Sequence, residues 1–367
     1  HTRFRNVTGV QTCALPISLL FAVIKSASAH NKESKMKKIY LIMMAAIMSL
    51  MGSLAFADFK PAVIYDMGGK FDKSFNEGVY NGIKRFTDET GIAVMEFEVT
   101  NEAQRQQAME KMIQRGATLV LGVGFAQADA IDKVAAANPD KMFSIIDVNW
   151  LDRPNLRQYT FKEEEGSYLV GMAAAMASET GTVGFVGGMD IPLIRAFQCG
   201  YEQGVMAVNS GATVLSNMTG TTPAAWNDPA KGSELTQSQI DRGADVVYQA
   251  AGGTGAGVIS AAVDAGKLAI GVDSNQNHLA PGSILTSMLK RVDVAAYNTM
   301  KDGLSGDFNV GVQTLGLAED GVGWSLDEHN ASLISDDMKA ALDAASAKII
   351  SGEIDVHDYR SDNTCSM

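Results

Sequence analysis

The sequence predicts an α/β protein built as two Rossmann-like lobes, each a parallel sheet covered by helices. Three observations carry this. Short apolar runs rich in Val and Ile alternate with amphipathic stretches of helical length along most of the chain. The runs are apolar throughout rather than alternating, as suits strands of a parallel sheet buried on both faces. The alternation recurs too often for one small sheet, and 367 residues is enough for about two domains.

The N-terminus stands apart from this pattern. Residues 36–57 read MKKIYLIMMAAIMSLMGSLAFA: Lys37 and Lys38, an apolar run, then Ala55-Phe56-Ala57. That is the order of a secretory signal peptide, with the mature chain starting at Asp58 and no lipid-accepting Cys there. Residues 1–35 have no clean periodicity, precede this signal and resemble a leader that is not native. The whole chain carries −12 at neutral pH. Residues 1–57 hold seven Lys or Arg and one acid, so the mature chain has 23 basic and 41 acidic residues, a net −18. That balance argues against a nucleic-acid partner, which calls for a basic patch. Of the Cys, Cys199 falls in a helical pattern and Cys365 in a polar tail, and two free thiols are expected.

The elements follow in order. Ala62–Tyr65 reads as a strand. The next helix spans Ser74–Glu89, with Ser74 to Glu77 fitting a capping box. Strands at Ala93–Val99, Thr118–Val123 and Met142–Asp147 flank helices at Asn101–Arg115 and Ala126–Asn138. LDRPNLRQY, around Asp152–Tyr159, is polar, Pro-containing and aperiodic, and reads as a lobe boundary. Helix Glu163–Glu179, strand Val183–Val186, helix Ile191–Asn209 and strand Ala212–Ser216 follow. Then come helix Pro229–Arg242, strand Asp245–Gln249, helix Gly255–Ala265 and strand Leu268–Val272. Strand Ile284–Met288, helix Val292–Leu304, strand Val310–Leu315 and helix Ser335–Ile350 close the chain. The predicted division is 58–156 plus about 283–320 for one lobe, and 157–282 plus about 321–367 for the other.

Open parallel sheets bind ligands beyond the C-terminal ends of their strands. Three strand ends carry a carboxylate there: Asp66, Asp147 and Asp273. A carboxylate only accepts hydrogen bonds, which suits a ligand rich in hydroxyl or amine donors such as a ribose. Phe75 and Asn76 fall in the first turn of the helix after Asp66, where N–H groups are free. The Gly-rich stretches Gly184–Gly188 and Ala251–Gly257 are not phosphate loops, because no Gly-Lys-Ser/Thr follows. Catalytic patterns are poor. His278, His329 and His357 lack metal-ligand spacing, and there is neither a G-x-S-x-G elbow nor a C-x-x-C. Glu163-Glu164-Glu165 reads as a solvated first helical turn, where acids complement the helix dipole.

Several stretches together resemble the basic membrane protein family of ABC-transporter substrate-binding proteins, which includes purine-nucleoside receptors. They are DMGGKFDKSFNE from Asp66, Gly187-Gly188 through Pro192 to Phe197 and Gly200-Tyr201, and Trp226-Asn227-Asp228-Pro229. Ala251–Gly255, Gly271-Val272-Asp273 and Ser287-Met288-Leu289-Lys290-Arg291 complete the set. The resemblance spans Phe59 to about Asp320. It implies two lobes of the type I periplasmic binding protein architecture, joined by a hinge and closing on a ligand. It implies no cofactor, no catalytic residue and no metal. Phe75 would stack a base. Asp66, Asn76, Asp147, Asp273 and Lys290 would make the polar contacts, and Gly252 and Gly253 would let the backbone approach. Phe197, Trp226 and Tyr248 remain open as the second aromatic wall.

The expected function is periplasmic capture of a nucleoside such as adenosine, guanosine or inosine by a monomer that delivers it to a permease. A receptor for a sugar or small signalling molecule is the alternative. An exported hydrolase or oxidoreductase is disfavoured by the missing nucleophile–base pair.

Overall fold

The computed structural model describes residues 59–365. The expectations for a leader over 1–35 and a signal peptide over 36–57 therefore lie outside the described residues. Among the described residues, no helix is long and apolar enough to cross a membrane.

The strands form two six-stranded sheets. The first contains β1 (Pro61–Tyr65), β2 (Met95–Glu98), β3 (Leu119–Gly122), β4 (Met142–Ile146), β5 (Leu156–Phe161) and β11 (Gly311–Leu315). Its order is β11-β5-β4-β3-β1-β2, and every pair is parallel. The second contains β6 (Thr182–Met189), β7 (Thr213–Gly220), β8 (Val246–Ala250), β9 (Leu268–Asp273), β10 (Ile284–Lys290) and β12 (Val322–Trp324). Its order is β12-β10-β9-β8-β6-β7, parallel throughout except that β12 runs antiparallel to β10.

Helices cover both sheets. Four bear on the site: α1 (Phe75–Thr90), α4 (Glu163–Ala177), α5 (Pro192–Val208) and α8 (Val292–Ser305). The helices α2 (Gln104–Gln114), α3 (Ala128–Ala137), α6 (Pro229–Asp241), α7 (Gly255–Asp264) and α9 (Asp336–Ile350) complete the layers. Strands β1, β3 and β8 are buried along their whole length, as their continuous apolar character demands. The predicted two-sheet α/β architecture is the one observed.

The lobe limits differ from expectation at two strands. Leu156–Phe161, read as the end of a linker and the start of the second lobe, is β5 of the first sheet. Its polar residues are buried because they have partners. Arg157 is fully buried, with Nε donating to Asn309 O at 2.7 Å and Nη1 to Asp302 at 2.8 Å. Gln158 exchanges two 2.9 Å hydrogen bonds with the backbone of Leu151. Ile284–Lys290, assigned to the first lobe, pairs with β9 and belongs to the second sheet. The chain thus passes between sheets at residues 161–163, 290–292 and 315–322. These crossings are tied to each other: Lys162 N donates to Leu315 O, Arg291 N to Gly321 O, and Leu317 N to the Glu165 carboxylate.

Three further readings change. Cys199 and Cys365 are not free thiols; they form a disulfide with Cα atoms 5.4 Å apart and a sequence separation of 166. The polar tail folds back on α5, where Gln203 exchanges hydrogen bonds with the backbone of His357 at 3.0 and 2.9 Å. Glu163, Glu164 and Glu165 are not a solvated turn but are buried, Glu163 completely. The cap of α1 is not the Ser74 hydroxyl. Asp72 accepts the N–H groups of Ser74, Asn76 and Glu77 at 2.9 to 3.1 Å, while Glu77 reaches back to Lys73 N.

Candidate functional site

A cavity lies between the C-terminal ends of the two sheets. The first sheet contributes the loops after β1, β3 and β4; the second contributes the loop after β8 and the ends of β9 and β10. This is where strands diverge from their crossover helices and leave room for a ligand.

The wall from the first sheet is held by polar groups bonded to one another. Asp66 follows β1; its carboxylate meets Arg105 Nη2 at 3.2 Å, and its N–H donates to Asn76 Oδ1 at 3.2 Å. Asn76 Nδ2 donates in turn to Asp72 at 3.2 Å. Burial raises the Asp66 carboxyl, with Met67 N–H and Arg105 pulling the other way. Phe75, the first residue of α1, and Phe125, just after β3, present their rings to the cavity.

The opposite wall brings Leu193, Ile194 and Phe197 from α5, and Trp226 from the loop after β7. A Cβ on Gly188 would collide with the Trp226 indole, so glycine there leaves space for the ring. Gly252, at φ +56°, and Gly253 pass beneath Trp226 as the backbone enters α7.

Charge gathers at the base. Lys290 ends β10 and is almost fully buried. Its Nζ lies 2.7 Å from Asp147 Oδ1 and 2.9 Å from Glu163 Oε1. The same ammonium sits 5.1 to 5.6 Å from the ring centres of Phe161, Phe75 and Phe197, within cation–π range. Burial opposes its charge, but Asp147, Glu163 and Asp273 together hold it above the usual lysine range. Burial would also raise Glu163; Lys290 and Arg360 outweigh that and keep it ionised. Asp147 lacks the second cation at hydrogen-bond distance, and burial pushes its carboxyl up. Asp273 is pushed up to about 7, again by burial, against the pull of Lys290 and Ser74.

Asp147 and Asp273 both adopt left-handed backbone conformations, φ 67° and 61°. Asp tolerates this region better than most residues, but it remains strained, and strain of this kind collects at ligand sites. Asp273 also joins the lobes. The Ser74 hydroxyl donates to it at 2.5 Å, Ser274 Oγ donates to Ser74 O at 2.9 Å, and Gln276 Nε2 donates to Lys73 O at 2.9 Å.

Ten of the eleven residues singled out from sequence line this cavity: Asp66, Phe75, Asn76, Asp147, Phe197, Trp226, Gly252, Gly253, Asp273 and Lys290. Tyr248 does not. It is fully buried in the middle of β8, packs against Phe185 and Tyr201, and hydrogen-bonds Ser167 at 3.2 Å. It sits too early in its strand to reach the end where the cavity opens. Reasoning from sequence missed Phe125, Leu193 and Ile194 among the lining residues. Phe125 carried a signal, since it lies directly after an apolar strand. Among the described residues, no cluster of His, Cys, Asp and Glu could hold a metal ion.

A family profile described as "ABC transporter substrate-binding protein PnrA-like" matches residues 59–360. The chain belongs to the Bmp family. Bmp relatives agree in extent. An ABC transporter nucleoside-binding protein of Lactococcus lactis is 32% identical over 96% of this chain and 99% of its own length. A CD4+ T-cell-stimulating antigen of Listeria monocytogenes is 34% identical over 82% of this chain and 88% of its own. Among solved structures, a solute-binding protein of an Aeropyrum pernix ABC transporter superposes with a TM-score of 0.76 at 28% identity. It covers 83% of this chain and 95% of the other. This Bmp protein is an ABC-transporter substrate-binding protein.

Proposed function

We propose that the protein captures a nucleoside, preferentially a purine nucleoside, in the periplasm and delivers it to an ABC-transporter permease. The observation that carries this reading is one cavity that combines aromatic rings from both lobes with carboxylates at the strand ends. A base stacked on an aromatic ring gains ~1–3 kcal/mol. Asp147 and Asp273 are acceptors for ribose hydroxyls, and Lys290 limits the cost of burying them. The strong bias toward carboxylates disfavours anionic ligands, so a neutral nucleoside fits better than its phosphate esters. The nucleoside-binding name of the Lactococcus relative points the same way.

Thermal melting in the presence of inosine, guanosine, adenosine, uridine, hypoxanthine and ribose tests this. A ligand that binds only the native state must raise the melting temperature in excess. Purine nucleosides are expected to raise it most, and the free base and sugar little. No shift with any nucleoside at millimolar concentration would overturn the reading. A shift with ribose alone that survives Phe75→Ala would indicate a sugar receptor.

A further inference from the structure

The C-terminal segment reaches the charges under the cavity. Arg360 Nη1 lies 2.6 Å from Glu163 Oε2, and Glu163 Oε1 faces Lys290. Each oxygen of this buried carboxylate therefore meets its own cation. The rest of the Arg360 fork is also occupied. Nη2 donates to Glu164 Oε2 at 2.8 Å and to Phe161 O at 3.2 Å, and Nε to Asp358 at 2.8 Å. Arg360 does not line the cavity; it stands behind it, in the neighbouring cleft with Trp150 and Lys162.

The segment that carries Arg360 is fastened on both sides of it. His357 is paired through its backbone with Gln203, and Cys365 is bonded to Cys199. Both anchors are on α5, the helix that presents Phe197 to the cavity.

We propose that Arg360 is a positioning residue of the ligand site: it neutralises Glu163 so that Lys290 stays with Asp147, and the Cys199–Cys365 disulfide holds it there. The charged groups facing this pair are Glu163 and Glu164 from α4, Lys290 from β10, Asp147 after β4, Asp273 at the end of β9, and Asp358 on the segment itself. Without Arg360, Lys290 alone faces Asp147 and Glu163. Two carboxylates then compete for one ammonium in a desolvated place, and one of them takes up a proton. A protonated Asp147 has lost acceptor capacity toward the ligand.

The binding arm of the test rests on the nucleoside reading; a second arm does not. The first measures inosine affinity by calorimetry from pH 6 to 9 for the wild type, R360Q and R360K. The second follows the side-chain carboxyl titration of the ligand-free proteins by ¹³C NMR. R360Q is expected to bind inosine about tenfold more weakly at pH 7, to recover as the pH rises, and to show an upward shift of about one unit in the Asp147–Glu163 midpoints. R360K should recover part of both. If R360Q melts earlier yet keeps wild-type affinity and midpoints, Arg360 only supports the fold and the proposal fails. If the wild type binds no nucleoside, the function reading falls, and the carboxyl titration still decides the role of Arg360. Should R360Q not fold, the Cys199→Ser/Cys365→Ser protein takes its place: a smaller upward shift supports the proposal, and unchanged midpoints overturn it.

Discussion

Lys290 Nζ and Asp147 Oδ1 lie 2.7 Å apart although Lys290 ends β10 of the second sheet and Asp147 follows β4 of the first. The pair crosses between the lobes at the base of the cavity, and Glu163 extends it to the first chain crossing. Desolvating an ammonium and two carboxylates costs several kcal/mol each, so the arrangement holds only while every charge keeps a partner.

Lys290→Met removes that partner and leaves Asp147 and Glu163 buried without their shared cation. Stability at pH 7 should fall by about 3–5 kcal/mol, as for other broken buried pairs. The loss should shrink toward pH 5, where the stranded carboxyls can protonate. Denaturant unfolding at both pH values measures this. Equal losses at the two would show that packing, rather than charge, is what Lys290 supplies.

Phe75→Ala removes the ring at the start of α1 but leaves the Asp72 cap intact, since that cap bonds backbone N–H groups. Nucleoside affinity should drop by ~1–3 kcal/mol with little change in melting temperature of the free protein. Calorimetry on the two proteins is the check, and unchanged affinity would remove Phe75 from the stacking wall.

Asp273 gives two opposite pH dependences. Its native carboxyl sits at about 7, above the ordinary value of 3.8. Between those values the native protein keeps a proton that the unfolded chain has released. The Asp273 contribution to stability therefore falls as pH rises across that window, and Asp273→Asn should flatten it. Ligand affinity should move the other way, rising from pH 6 to 8 as the ionised carboxylate becomes the better acceptor for ribose. An affinity profile that is flat in the wild type, or unchanged by Asp273→Asn, contradicts this role.

The Cys199–Cys365 disulfide closes a loop of 166 residues. Removing it with paired Ser substitutions should cost about 2–5 kcal/mol, mainly by freeing the unfolded chain. Melting with and without a reductant should reproduce the loss in the wild type and show none in the double variant.

Much of the cavity was legible before the fold was known, because βα periodicity marks where strands end. Asp66, Asp147 and Asp273 stand at those ends, and Phe75 stands one helix start beyond. What misled was any residue whose setting is made by distant chain. Glu163, Glu164 and Glu165 look like a solvated first turn until Arg360, almost two hundred residues on, lies against them. Arg157 and Gln158 look like linker until Asn309, Asp302 and Leu151 bond to them. Tyr248 failed differently: its type suited an aromatic wall, but its place in mid-strand points it into the core beside Tyr201 and Phe185.

By itself the sequence determined the α/β class, the order of most elements and the strand ends that face the cavity, because these follow from local periodicity and chain-end geometry. Only the tertiary structure decided which strands share a sheet, that the two Cys are joined, and that a tail arginine neutralises a glutamate behind the cavity. Those are contacts between segments far apart in sequence. Their energies depend on burial and on partners that no local window of residues contains.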